Sequence, residues 1–186
     1  MPGDRREKAA PEGRVLEKYN AYKLSWLHDS IHLIVLIVVL FVVFRFMIGI
    51  AVVGGDSMDP HLTDGDLVVY MRLARDYQPG DVVSIRVASG DYYVKRVAAT
   101  GGDEVMVRDG TVFVNDEPAE DIWAQGKTLR ESGAVIYPYR VREGNVFVLG
   151  DNRMASMDSR AFGEVNLRQI RGRIFLRIGK GGAAFL

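Results

Sequence analysis

A chain of 186 residues has room for one ordinary domain and a terminal extension. Its 24 basic and 24 acidic residues balance to zero net charge, which argues against nucleic acid as a main partner, because phosphate binding needs a concentrated basic surface. Cysteine is absent, so disulfides, thiol catalysis and zinc–thiolate sites are excluded, although this does not fix a compartment.

The N-terminal segment, residues 1–30, is largely polar. Residues 33–44 then read Leu-Ile-Val-Leu-Ile-Val-Val-Leu-Phe-Val-Val-Phe without a polar side chain. Counted from Ile31 to Val53, the apolar stretch reaches the about 20 residues needed to cross a bilayer core. Arg45 fits only near the interface, where its long side chain can snorkel to water. A cleaved signal peptide would start within a few residues of a basic terminus, whereas here about 30 residues come first, and no convincing small-x-small site follows. A buried core helix is the other alternative, but β-branched residues run all round with no polar face. Residues 31–53 are therefore expected to be an uncleaved transmembrane anchor, with membrane lipid as a partner. Arg5, Arg6, Lys8, Arg14, Lys18 and Lys23 precede it, and after Arg45 the next basic residue is Arg72. The positive-inside tendency places residues 1–30 in the cytoplasm and residues 54–186 outside, in a single-pass protein of the cell membrane.

From Leu67 onward, short runs rich in Val, Ile, Tyr and Phe alternate with turn residues. Leu67–Arg72, Asp81–Val87, Asp91–Ala98, Glu104–Arg108, Thr111–Val114, Val146–Leu149 and Arg173–Ile178 all read as strands. Asp109-Gly110 between two of them predicts a tight hairpin. No long stretch shows helical periodicity, so the fold class is mainly β: one antiparallel domain over residues 54–186. Asp116 to Gly144, with Trp123, is the least regular part and reads as a surface excursion.

Two places carry possible chemistry. Ser57 lies in Ser57-Met58-Asp59-Pro60, just past the apolar stretch, and a serine becomes a nucleophile only when a neighbour removes its proton. Lys95 lies in Asp91–Ala98, where alternation puts Tyr93, Lys95 and Val97 on one face and Tyr92, Val94 and Arg96 on the other. If the first face is buried, desolvation lowers the lysine pKa toward neutrality. If it is not, Lys95 is an ordinary surface lysine. Arg96 cannot be the base, because a guanidinium stays protonated. His61 could reach Ser57 only by a back-turn of the Pro60 loop, and His28 and His32 lie at the start of the apolar segment. No histidines and carboxylates have metal-ligand spacing, so no metal or other cofactor is expected. A third cluster, Gly150 to Gly163, is dense in Asp, Asn, Ser and Arg and follows the apolar strand Val146–Leu149.

Four ordered segments carry a family resemblance. Gly55-Asp56-Ser57-Met58-Asp59-Pro60-His61-Leu62, then Gly80-Asp81-Val82-Val83, then Tyr93-Val94-Lys95-Arg96-Val97 with Gly102-Asp103, and last Gly150-Asp151-Asn152 through Ser156-x-Asp158-Ser159-Arg160. Together, behind a membrane span, these resemble the motifs of bacterial type I signal peptidases, and the likeness runs from the anchor to about Ile174. It implies the antiparallel β peptidase fold shared by signal peptidases and self-cleaving repressor-type proteins. It also implies Ser57 as nucleophile and Lys95 as general base, with Ser156 hydrogen-bonded to the lysine amine. Asp158, Arg160 and Arg96 would form a salt-bridged support. The Ser57 backbone N–H would serve the oxyanion, and Gly55 replaces the serine that supplies a second donor in some relatives, a Gram-positive pattern. His61 stands where threonine is usual, and Ala99 and Gly101 replace glycine and proline. Lysine rather than histidine at position 95 favours the bacterial type.

The expected activity is removal of signal peptides from exported preproteins after an Ala-x-Ala pattern, through an acyl-enzyme, with the export machinery as a further partner. Val53, Met58, Leu62, Tyr93 and Val94 are the expected walls of the substrate pockets. Two other readings remain: a self-cleaving repressor-type protease, which would carry a DNA-binding module instead of a span, and a non-catalytic membrane-anchored β scaffold that binds peptides.

Overall fold

The computed structural model describes residues 11–119, 122–131 and 135–186. The first ten residues of the expected cytoplasmic segment lie outside that range. The chain divides into a helical unit ending at Phe44 and a β unit, Arg45–Leu186.

Helix α1 runs Pro11–Val42 and passes into a π turn over Val43–Met47. Residues rich in Val and Ile would favour strand in water. In hydrocarbon, however, every backbone polar group needs an internal partner, which a helix supplies by itself. The side chains of residues 33–41 are 46–65% exposed. The part long and apolar enough to cross a membrane is Trp26–Met47, 22 residues, or about 33 Å at the helical rise.

This shifts the boundary expected from hydropathy. Residues 48–52, counted above as the end of the anchor, are a strand. β1 (Ile48–Val52) pairs antiparallel with β2 (Leu67–Met71), from Ile48 opposite Met71 to Val52 opposite Leu67. Gly49 is required there, because a Cβ would collide with the Tyr70 ring. Hydropathy alone does not separate an apolar edge strand from the apolar helix before it.

The remaining strands are β3 (Val82–Arg86), β4 (Tyr92–Thr100), β5 (Glu104–Arg108), β6 (Thr111–Val114), β7 (Glu117–Pro118), β8 (Tyr139–Arg140), β9 (Asn145–Leu149), β10 (Val165–Asn166), β11 (Ile170–Gly179) and β12 (Gly182–Phe185). A four-residue helix, α2 (Ser159–Phe162), lies between β9 and β10. All strand pairs are antiparallel. One sheet has the order β1-β2-β11-β3-β4-β9-β10 with β12 hung on β11, and a smaller one the order β7-β6-β5-β8. The β5–β6 hairpin turns on Asp109 (φ 53°) and Gly110 (φ 84°), the two positive angles of a type I′ turn.

Three packed clusters form the core. One joins Val83, Ile85, Val97 and Val148, and a second joins Val105, Val112, Phe147 and Leu149. The third, Val53, Met58, Leu62, Val68, Tyr70, Val82 and Ile174, ties the β1–β2 connection to the sheet.

Candidate active site

Ser57 sits in the connection between β1 and β2. The base of that connection is closed by Val53 N–H donating to the Asp66 carbonyl (2.8 Å) and Gly65 N–H donating to the Val53 carbonyl (2.9 Å). Its inner face is anchored by Met58 and Leu62, both essentially fully buried. Ser57, one residue before the Met58 anchor, is held on a short tether.

Lys95 lies mid-strand in β4 and is 3% exposed. Its Nζ is 2.7 Å from Ser57 Oγ, bringing together residues 38 apart in sequence. The Tyr93 ring, on the same face, has its centroid 5.5 Å from Nζ. Burial pushes the Lys95 pKa down to about 8, against the upward pull of the Asp158 and Asp151 carboxylates, while the Arg160 guanidinium adds to the depression. A lysine with a pKa of about 8 keeps a minor share of free amine at neutral pH and is mostly free amine above about pH 8. Its lone pair can then accept the Ser57 proton across the same contact.

The loop after β9 supplies the surroundings. Arg160 donates to both oxygens of Asp158 (2.8 and 2.9 Å), and Asp158 also accepts from the Gly150 N–H at 3.0 Å. Arg160 further donates to the carbonyls of Arg153 (2.8 Å) and Ser156 (3.3 Å). Both partners are buried, so this fork holds the loop in one conformation and each charge satisfies the other. A Cβ at Gly150 would meet the Ser156 side chain and come within 2.5 Å of the Ser57 carbonyl oxygen. Glycine is what lets the two loops touch. Asn152 completes the contact, its backbone N–H donating to the Ser57 carbonyl (3.1 Å) and its side-chain amide to the Asp56 carbonyl (3.2 Å).

A family model described as signal peptidase, peptidase S26, matches residues 25–178. The chain belongs to that family. It is 32% identical over 171 residues to signal peptidase IB of Staphylococcus aureus, covering 83% of this chain and 88% of that one. Against signal peptidase I of Bacillus licheniformis it is 34% identical over 172 residues, covering 84% and 90%. A crystal structure of a signal peptidase I from Enterococcus faecalis is 26% identical, with a TM-score of 0.43, over 53% of this chain and 96% of that one. Membership makes the chain a serine peptidase of signal-peptide processing.

Within this signal peptidase, several residues stand differently from expectation. Ser156 is brought to the site, but its Oγ is buried against Gly150 without a hydrogen-bond partner among the described residues, so the expected bond to the lysine amine is not formed. Arg96 does not join Asp158. Strand alternation turns it to the face opposite Lys95, where it forks onto Asp151 (2.8 and 2.6 Å), donates to the Gly80 carbonyl (2.8 Å) and stacks 4.5 Å from the Trp123 ring. His61 makes no bond to Ser57, and its Nδ1 lies 3.3 Å from Asp151 Oδ2. Val53, Met58 and Leu62 are core residues at 4%, 1% and 0% exposure and form no open wall. Of the five expected pocket residues only Tyr93 and Val94 keep partial exposure. A cavity of about 340 Å³, lined mainly by apolar side chains but also by Arg86 and Glu164, does open beside Tyr93, between Ile85, Val87, Met157, Phe162 and Val165. Gly150, Asp151 and Asn152 were legible as a polar motif after an apolar strand and as the start of the last family motif, but not through their contacts. Their partners, Ser57 and Arg96, are set by tertiary structure.

Proposed function

We propose that this signal peptidase cuts preproteins by nucleophilic attack of Ser57 with Lys95 as general base. The observation that carries the reading is the 2.7 Å contact between Lys95 Nζ and Ser57 Oγ, made by a lysine that is nearly fully buried. The neutral amine takes the hydroxyl proton as Oγ attacks the scissile carbonyl. It then returns that proton to the leaving amine, and finally activates the water that releases the acyl-enzyme. The Ser57 N–H stabilises the developing oxyanion. Gly55 offers no hydroxyl there, and its N–H is taken by Asp64 (2.8 Å). Asp158 and Arg160 act by fixing the loop that abuts both Ser57 and Lys95.

The substrate is an extended segment that adds to the open edge of β4. Residues 92–95 pair with β3 there, and β9 joins only from Arg96 onward. Membership and the four motifs favour small residues before the cut, in the Ala-x-Ala pattern. Trp26–Met47 has the length and composition of a single membrane span, and the basic residues before it favour a cytoplasmic N-terminus with the peptidase on the other side.

The test uses the detergent-solubilised full chain and a preprotein with an Ala-x-Ala site. Wild type is expected to make one cut after the last alanine, mapped by mass spectrometry. Ser57→Ala and Lys95→Arg are expected to lose at least about 1,000-fold in kcat/KM, about the upper part of the range for a general base. Turnover retained in Lys95→Arg, which keeps the charge but not a usable base, would exclude Lys95 from that role.

A further inference from the structure

The Ser57 N–H has no acceptor among the described residues, which leaves it free for a substrate oxygen. What it points at is decided by its own peptide plane. The Asp56–Ser57 peptide is planar, and its C=O and N–H point in opposite directions. Any group that fixes the Asp56 carbonyl therefore aims the Ser57 N–H.

Two groups hold that carbonyl. One is local, the Asp59 N–H at 3.1 Å, within the same turn. The other comes from 96 residues away, the side-chain amide of Asn152 at 3.2 Å. A carbonyl can only accept, so the amide nitrogen is the end that faces it. The Asn152 backbone N–H meanwhile donates to the next carbonyl, that of Ser57, at 3.1 Å. One residue thus grips the carbonyls on both sides of the nucleophile. The backbone grip explains the docking of the two loops by itself. The side-chain grip adds control over rotation of one peptide, the one that carries the oxyanion donor.

We propose that Asn152 is a positioning residue for the oxyanion: its side-chain amide orients the Asp56–Ser57 peptide so that the Ser57 N–H meets the oxygen of the tetrahedral intermediate. This rests on the Ser57–Lys95 reading above. With no hydroxyl at position 55 and the Gly55 N–H engaged by Asp64, the orientation of this N–H carries more of the stabilisation.

Asn152→Ala removes the side-chain grip and keeps the backbone one. Asn152→Asp does the same with nearly unchanged shape and turns an acceptor toward the carbonyl. Loss of an oxyanion donor outright typically costs about 100- to 1,000-fold in kcat, so mis-aiming it is expected to cost about 10- to 100-fold. In both variants kcat falls and KM stays within about twofold. In Asn152→Ala the acid limb of the rate profile keeps its midpoint, since no charge changes, whereas the new carboxylate of Asn152→Asp moves it upward, as the Asp158 and Asp151 carboxylates do.

A peptide aldehyde with the same small-residue sequence separates positioning from mere bracing. Ser57 Oγ adds to the aldehyde carbon, its proton passes to Lys95, and the former carbonyl oxygen occupies the oxyanion position. Aldehyde affinity is expected to weaken by the same factor as kcat/KM. Binding of the uncut peptide, compared between Ser57→Ala and Ser57→Ala with Asn152→Ala, is expected not to change. Unaltered kcat in both variants, or a loss accompanied by a lower Tm with aldehyde affinity unchanged, would overturn the assignment and leave the proposed function standing. A wild type that cuts no preprotein would overturn both. If Asn152→Asp unfolds through repulsion from the Asp56 carbonyl, Asn152→Ala decides alone.

Discussion

Lys95 is the residue whose physics is most exposed to measurement. Its pKa falls because the ammonium loses its hydration, and the two nearby carboxylates restore only part of it. The acid limb of kcat/KM is therefore expected to have its midpoint near the depressed value of about 8, with rate rising as the amine loses its proton. A midpoint near 10.5 would mean that the lysine is hydrated in solution. The same shift has a stability consequence of definite sign. A lysine pKa lower in the folded than in the unfolded chain penalises folding fully below about pH 8, and the penalty fades as pH rises toward 10.5. From 10.5 to about 8 it amounts to about 3 kcal/mol. Denaturant unfolding of Lys95→Met and wild type should show the variant ahead at pH 7 and that lead narrowing toward pH 11. If Lys95 is the base, its activity is held against stability, a common relation at working sites.

At the scale of elements, the site depends on two loops that approach within backbone contact, one after β1 and one after β9. Gly150 is the point of closest approach, and Gly150→Ala has to push the Ser57 carbonyl aside. A displacement of about 1 Å at a reacting group can cost about 100-fold, so that loss in kcat is expected with the far-UV circular dichroism unchanged. Which elements were legible in the sequence follows from how they are built. β2 to β6, β9 and the core of β11 have strand-forming residues between turn residues, and Asp109-Gly110 gives its hairpin away. β1 was hidden because an apolar edge strand continues an apolar helix without a change in composition. β12 lies in a Gly-rich tail with all four residues exposed, and α2 is only one turn long. In the site, Ser57 and Lys95 stood out through their motifs. The pairing of Arg96 with Asp151, 55 residues away, and the grip of Asn152 on the Ser57 loop left no local signal.

For the whole molecule, the boundary between the helical and β units decides which fragment can stand alone. A chain beginning at Arg45 keeps β1, whereas one beginning at Gly54 loses it and uncovers the edge of β2. The shorter chain is expected to be at least about 1.5 kcal/mol less stable, since burial of Val53 alone supplies about 1.5–3 kcal/mol. It is also expected to associate through the new edge, which urea titration and size-exclusion chromatography will show. Strand order carries a further consequence. The Ser57 loop belongs to β1 and β2, Lys95 lies in β4 beside β3, and these two pairs are not neighbours in the sheet. β11 lies between them, pairing with β2 along one edge and with β3 along the other. It is made after both Ser57 and Lys95. A nascent copy that has emerged as far as Lys95 already holds Ser57 and Lys95 but lacks the strand that lies between their two strand pairs. On the proposed mechanism, such a copy is expected to stay inactive until nearly all of the chain has emerged, because β11 is among the last strands made.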